Sequence, residues 1–337
     1  MVSFGVGAIG SSIAKFLLEK EWVEVVGAID IAKEKVGKDL GEVLGIGRQL
    51  GVLVSDDVEG VLSEAKVDVV VHATSSFLKD TYSQISEVVK HGVNVVSTCE
   101  ELTYPYVTNG IAKKLDELAK KTKVTILGTG INPGFLMDTL PITLTVVCQK
   151  IEKIEVSRVM NAATRRVPFQ RKIGAGLTVQ EFKTKIENKF ITGHVGLKQS
   201  VAMIADALAW KMDKIEADSV EPIVAKKNVE SQAIRVKAGQ VAGLRQRARG
   251  IQKKKEVIIL DFQAYIGAEE EYDSIAIKGV PNIHEKISPC VNGDVGTVAV
   301  VVNSLPKVVN APPGLMTMKD LPIPSATFGE IRSVNFE

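Results

Sequence analysis

The sequence predicts an α/β protein: a doubly wound parallel sheet followed by a second, α+β domain. Three observations predict it. A glycine turn, Gly5-Val-Gly7-Ala-Ile-Gly10, separates a short apolar run from a helical pattern at the start of the chain. From there to about residue 130, β-branched runs alternate with amphipathic helical stretches, the order that builds a parallel sheet. Beyond Gly134 the runs lengthen and alternate apolar with polar residues, as half-exposed mixed or antiparallel strands do.

Val2, Phe4 and Val6 predict the first strand, Ile9 to Leu18 the first helix, and Trp22 to Ile29 a second strand closed by Asp30. In a turn of this kind Gly5 permits the sharp bend. Gly7 lets the backbone approach a pyrophosphate, and Gly10 allows close helix–strand packing. The helix start at Ala8 and Ile9 adds the positive end of the helix dipole. Asp30, twenty residues after Gly10, is spaced to accept hydrogen bonds from an adenosine ribose. The unit therefore reads as a Rossmann-type dinucleotide-binding βαβ. Asp30 favours NAD by repelling a 2′-phosphate, while Lys33 and Lys35 soften that repulsion, so NAD is expected to be used well and NADP to be accepted.

A charged, glycine-punctuated stretch, Lys33 to Arg48, leads to a short strand at Val52 to Val54. Asp68 to Ala73 is a continuous buried strand with Thr74-Ser75-Ser76 at its carboxyl end. Tyr82 to Lys90 has helical spacing, and Asn94 to Ser97 is the next strand, followed by Thr98-Cys99-Glu100-Glu101. Asn109 to Lys121 is an amphipathic helix, and Thr125 to Leu127 begins another strand. Ligands of open α/β sheets bind beyond the carboxyl ends of the strands. The expected binding edge is therefore made of Gly5–Gly10, Ala73–Ser76, Thr98–Glu101 and Gly128–Gly134, with Thr74 and Ser75 as cofactor contacts. A carboxylate after the Asn94–Ser97 strand can serve as general acid and base beside the nicotinamide and hold a cationic amine. Sequence neighbours point apart, so one of Glu100 and Glu101 enters the site. In the turn Gly128 to Phe135 the glycines allow approach to a flat ring. Asn132 offers a donor and an acceptor, and Pro133 fixes the path. Asn132 and Pro133 are expected against the cofactor, Pro133 and Gly134 against the substrate.

In the second domain Glu152 to Met160 and Glu256 to Ile266 read as strands, and Val298 to Val302 is a more continuously apolar run. Val179 to Asn188 and Leu197 to Lys211 read as helices, and a proline-rich tail follows. The expected division is a dinucleotide-binding domain at 1–134, a substrate-binding and dimerisation domain at 135–305, and a segment at 306–337 that packs back on the first domain. Arg165 and Arg166 are candidates to clamp a substrate carboxylate, since guanidinium pairs with it bidentately; a solvated or intersubunit basic loop is the alternative. His194, before a helix, is a candidate to orient substrate, with a structural histidine as the alternative. Gln240, in Gly239–Gly243, and the loop Asn292–Thr297 read as tight backbone features.

A net charge of +2 over 337 residues gives no footprint for nucleic acid or a membrane surface. The run Lys253-Lys254-Lys255 reads as a solvated loop. No secretory signal pattern is present, and Asp138 and Pro141 interrupt the longest apolar candidate for a membrane span. Three cysteines and four histidines without metal-like spacing predict no metal site and a reduced cytoplasmic protein.

Five segments occur here in one order: the Gly5–Gly10 turn, Thr98-Cys99-Glu100-Glu101-Leu102, Gly130-Ile131-Asn132-Pro133-Gly134-Phe135, Gly193-His194-Val195-Gly196 and Gly239-Gln240-Val241-Ala242-Gly243-Leu244. Together they resemble the 2,4-diaminopentanoate dehydrogenase family, which includes the native amine dehydrogenases and is similar in architecture to dihydrodipicolinate reductase. The resemblance spans nearly the whole chain. It implies NAD(P)-dependent oxidative deamination of an amine to a ketone and ammonia, reversible as reductive amination. The implied natural reaction converts 2,4-diaminopentanoate to 2-amino-4-oxopentanoate. It places the catalytic glutamate on Cys99-Glu100-Glu101, with Glu100, nearer the strand end, favoured. The expected partners are a small amine or ketone, ammonia and a second copy of the chain in a homodimer. The competing readings are a dihydrodipicolinate-type imine reductase, a semialdehyde dehydrogenase using Cys99 as nucleophile, and a non-catalytic dinucleotide-binding protein.

Overall fold

A computed structural model describes residues 1–107 and 110–329. The chain opens with β1 (Val2–Phe4), α1 (Ala8–Leu17), β2 (Gly27–Ile29), α2 (Leu40–Leu44), β3 (Val54–Ser55) and α3 (Val58–Glu64). There follow β4 (Val69–His72), α4 (Leu78–Lys90), β5 (Asn94–Ser97), α5 (Ile111–Thr122) and β6 (Thr125–Gly128). Next come α6 (Thr139–Leu144), β7 (Lys150–Asn161), α7 (Val167–Lys172), α8 (Val179–Glu187), α9 (Leu197–Ala207), β8 (Lys214–Ala217), β9 (Glu221–Val224), β10 (Val229–Glu230) and β11 (Arg235–Val236). The long strands β12 (Val241–Gln252), β13 (Lys255–Tyr265), β14 (Tyr272–Val280) and β15 (Ile283–Ile287) precede α10 (Gly293–Val309) and β16 (Gly314–Met316). The start expected for α5, Asn109, and the end of the expected tail, 330–337, lie outside the described residues.

Two compact units result: Met1–Phe135 with Gly293–Glu337, and Leu136–Asn292. The chain thus returns to the first unit at Gly293, earlier than the boundary at 305/306 expected from the sequence. The reason is Val298 to Val302, which is the middle of a helix. Val298, Val301, Val302, Leu305 and Val308 are buried, at helical spacing, against Ile13 and Leu17 of α1 and Val69, Val71 and Val96 of the sheet. A β-branched apolar run fits a buried strand as well as a buried helix, and here tertiary burial decides.

The first unit's sheet has the order β16-β6-β5-β4-β1-β2-β3, and every pairing is parallel. Its two faces are covered separately: Val2, Phe4, Val70 and Val95 pack with Ile85, Val88 and Leu115 of α4 and α5, and α1 and α10 cover the other face. The strand order reverses between β1 and β4, the switch point at which such sheets bind ligands. The second strand is shorter than expected. Only Gly27–Ile29 pairs with β1, while the Met1 amino group bonds the Glu24 carbonyl at 2.7 Å.

In the second unit the sheet runs β15-β14-β7-β13-β12-β8, with β9 also on β12. Only β7–β13 is parallel along this path. Alternation puts Ile154, Val156, Leu244, Ile258, Leu260 and Phe262 on one face, packed with Phe182 of α8 and Val201 and Ile204 of α9. Lys253 and Lys254 form the tight turn joining β12 to β13, both with positive φ (51° and 62°), the conformation a two-residue hairpin demands.

Candidate active site

The glycine turn is built as its sequence predicts. Gly5 has φ +91°, and a Cβ there would lie 2.5 Å from the Ala73 carbonyl oxygen; a Cβ on Gly10 would lie 1.8 Å from that of Gly5. The turn after β1 is thereby pressed against the loop after β4, at the switch point. Gly7 caps α1, and a Cβ on it would meet nothing within 4 Å. The space beside the helix start is open, and the first amides of a helix have no acceptor within it. Those are the conditions a pyrophosphate needs.

Asp30 sits at the end of β2. Its Oδ2 accepts from the Val6 amide at 2.8 Å and its Oδ1 from the Ala32 amide at 2.9 Å. Lys35 Nζ is 3.0 Å from Oδ2 and donates to the Val6 carbonyl at 2.9 Å. Burial works to raise the Asp30 carboxyl, but the Ala32 amide, Lys35 and the Val6 amide outweigh it and hold it below the usual carboxylate range. Lys35, and not Lys33, is the cation on this carboxylate.

At the end of β5, Cys99 caps a single 3₁₀ turn, Glu100–Leu102. The two glutamates part there. Glu101 Oε2 accepts from the Leu78 amide at 2.7 Å and so caps α4 from outside the helix. Ser75 works at the same helix start, accepting from the Phe77 amide and donating to Asp80. Glu100 is partly buried in the same turn. Cys99 is buried, its Sγ donating to the Ser76 carbonyl and accepting from Thr81. Burial pushes its thiol up to about 11, which makes it a poor nucleophile at neutral pH.

The turn after β6 lies next to the Glu100 turn. A Cβ on Gly128 would lie 2.4 Å from the Leu102 carbonyl carbon, so only glycine fits beneath that turn. The Thr129 amide bonds the Ser97 carbonyl, and the Ile131 amide bonds Thr297 at the start of α10. Gly134, with φ +128°, folds back onto Gly130. One sheet edge therefore gathers Gly5, Gly7, Ala8, Ile9, Gly10, Asp30, Thr74, Ser75, Glu100, Glu101, Asn132, Pro133 and Gly134.

Arg165, Arg166 and His194 belong to the second unit. Arg165 and Arg166 line an open cavity of about 970 Å³ together with Gln170, Glu230 and Ser231. Gln170 holds the Arg165 carbonyl at 2.7 Å and is itself held by Ser231. His194 lies elsewhere, stacked on Phe262 with centroids 4.5 Å apart. Burial, helped by the charges of Lys172 and Arg158, pushes it down to about 3. Gln240 ties the Gly176 carbonyl. Residue reading missed the buried ion pair of Arg158 with Asp273 across β7 and β14, which also holds both backbone groups of Val291. It also missed His72, a polar residue that closes an apolar strand at the binding edge; that position was its only signal.

Comparison with known proteins now decides the family. Residues 135–336 match the 2,4-diaminopentanoate dehydrogenase C-terminal domain, and residues 2–129 match the dihydrodipicolinate reductase N-terminus. The chain belongs to the 2,4-diaminopentanoate dehydrogenase family. It is 37% identical to the 2,4-diaminopentanoate dehydrogenase of Acetoanaerobium sticklandii over 99% of this chain and 96% of that one. It is 23% identical to an amine dehydrogenase of Streptomyces virginiae over 96% of each. Among solved structures, the amine dehydrogenase from Mycobacterium smegmatis superposes with a TM-score of 0.84 at 30% identity, covering 98% of this chain and 97% of that one. The Rossmann-type expectation is met. Among the described residues no helix is long and apolar enough to cross a membrane.

Proposed function

We propose that this dehydrogenase oxidatively deaminates 2,4-diaminopentanoate to 2-amino-4-oxopentanoate, with Glu100 as general acid and base. The observation that carries the assignment is the division of the glutamate pair: Glu101 is spent on the Leu78 amide, and Glu100 stands in the turn at the end of β5. The relatives' names supply the substrate class; the edge-lining residues supply the chemistry.

The residues suited to hold the dinucleotide are the Gly5–Gly10 turn and the first amides of α1 for the pyrophosphate, and Asp30 for the adenosine ribose. Asn132 and Pro133 are suited to the nicotinamide end, with Thr74 and Ser75 along the edge. Bound there, the nicotinamide would supply the acceptor for a hydride from the amine-bearing carbon. Glu100 first takes a proton from the substrate ammonium, freeing the nitrogen lone pair that makes hydride loss possible. Once that proton has passed to solvent, the restored carboxylate lies beside the cationic iminium and stabilises it. The glutamic acid and carboxylate forms next pass protons as water adds to the iminium carbon and the carbinolamine expels ammonia. In the aminating direction the same group deprotonates ammonium and protonates the leaving water. Pro133 and Gly134 border the substrate.

Glu100→Gln keeps the size and loses the proton transfer, so kcat falls by about 10² to 10⁴ with the Kd for NAD unchanged. Wild-type turnover in that variant contradicts the assignment. The raised Cys99 thiol disfavours the semialdehyde dehydrogenase reading.

A further inference from the structure

β4 ends in a histidine that the proposed chemistry leaves unused. His72 is fully buried and sits edge-on to Phe4 at 5.2 Å. Its Nδ1 is 2.9 Å from Ser97 Oγ at the end of β5. Its Nε2 is 2.8 Å from Gln84 Oε1 on α4 and 3.0 Å from Thr74 Oγ1. Two further bonds extend the network: the Cys99 amide donates to Ser97 Oγ at 3.1 Å, and Thr74 Oγ1 donates to Gln84 Oε1 at 2.8 Å.

The protons can be assigned around this network. Ser97 Oγ receives the Cys99 amide proton, so its own proton goes to Nδ1. The ring proton is then on Nε2 and goes to Gln84 Oε1. Every polar group is satisfied only when the ring is neutral, and burial, which pushes His72 down to about 4, agrees.

We propose that His72 is a positioning residue for the dehydrogenase reaction: one ring nitrogen sets the Glu100 turn through Ser97, and the other sets the Thr74 loop through Gln84. The inference rests on the reading of Glu100 given above. Cys99 caps the turn that carries Glu100, so the Ser97–Cys99 bond fixes where that turn begins. Thr74 lies in the loop after β4, at the switch point. A single ring thus spans the ends of the two neighbouring strands whose loops face the reacting groups. Misplacing such a turn by an ångström is enough to slow chemistry.

Two amides each mimic one side of the imidazole. In His72→Asn the side-chain oxygen takes the place of Nδ1 and keeps the Ser97 arm; in His72→Gln the amide N–H takes the place of Nε2 and keeps the Gln84 arm. The test measures kcat and the KM for NAD in both, with melting temperature alongside. The expected result is a split: His72→Gln loses about tenfold or more in kcat with its KM for NAD unchanged, and His72→Asn raises the KM for NAD with kcat largely kept. Wild-type constants in both variants, or equal losses that follow only the fall in melting temperature, overturn the proposal. Where a His72 variant fails to fold, Ser97→Ala and Gln84→Met cut one arm each and must reproduce the same split. Glu100→Gln in the same series separates the two claims. If it is inactive while His72→Gln keeps wild-type kcat, the positioning role alone fails; if it is active, the reading beneath it fails.

Discussion

Asp30 and Lys35 show what one pair of side chains does to a cofactor site. A lone aspartate after β2 repels a 2′-phosphate. Here Lys35 lies 3.0 Å from that carboxylate and also holds the Val6 carbonyl of the glycine turn. We infer that its charge offsets that of Asp30 where a 2′-phosphate would arrive, so that NAD is used and NADP is accepted. Lys35→Ala exposes the aspartate charge. The ratio of kcat/KM for NAD to that for NADP then rises about tenfold, equivalent to about 1.4 kcal/mol. An unchanged ratio, measured by cofactor reduction, contradicts this. The sequence named both Lys33 and Lys35; only the fold, by bringing residue 35 back to the turn, separates them. The glutamates tell the same story. Their segment was legible from its place after a buried strand, but what distinguishes Glu101 is a bond to an amide 23 residues away, which no local pattern carries.

At the scale of elements, α4 begins with Phe77 at its cap and no side-chain cap of its own. Glu101 supplies the missing acceptor from the neighbouring loop, and Ser75 and Asp80 organise the same end. Removing it in Glu101→Ala lowers stability by about 0.5–2 kcal/mol, read from denaturant unfolding, while turnover persists. A turnover loss matching that of Glu100→Gln exchanges the two roles. In the first unit β4 and β5 were legible because each is a short β-branched run closed by a polar residue, whereas β16, Gly-Leu-Met, carries no such signal and was not. β12 was not, since Arg245, Gln246, Arg247 and Arg249 crowd its centre and leave no continuous apolar stripe. The helix α10 was missed for the opposite reason: valines at 298, 300, 301 and 302 fit either structure, and burial against α1 decides.

For the whole molecule, the second sheet has one apolar face covered by its own helices. The other carries Glu155 and Ser157 of β7, Arg245 and Arg247 of β12 and Asp261 and Gln263 of β13, with Arg245 and Asp261 paired. We infer that this broad face meets a second copy, giving a homodimer by the usual two-fold symmetry. Light scattering should then report twice the chain mass of 36.3 kDa, and a single chain at micromolar concentration contradicts it. The reaction is tested most directly by mixing the purified enzyme with NAD and 2,4-diaminopentanoate and following cofactor absorbance and free ammonia together. Reduced cofactor and ammonia appearing in equal amounts is the predicted result. Reduction without ammonia, or reduction with a semialdehyde or hydroxy acid and with no amine, contradicts it.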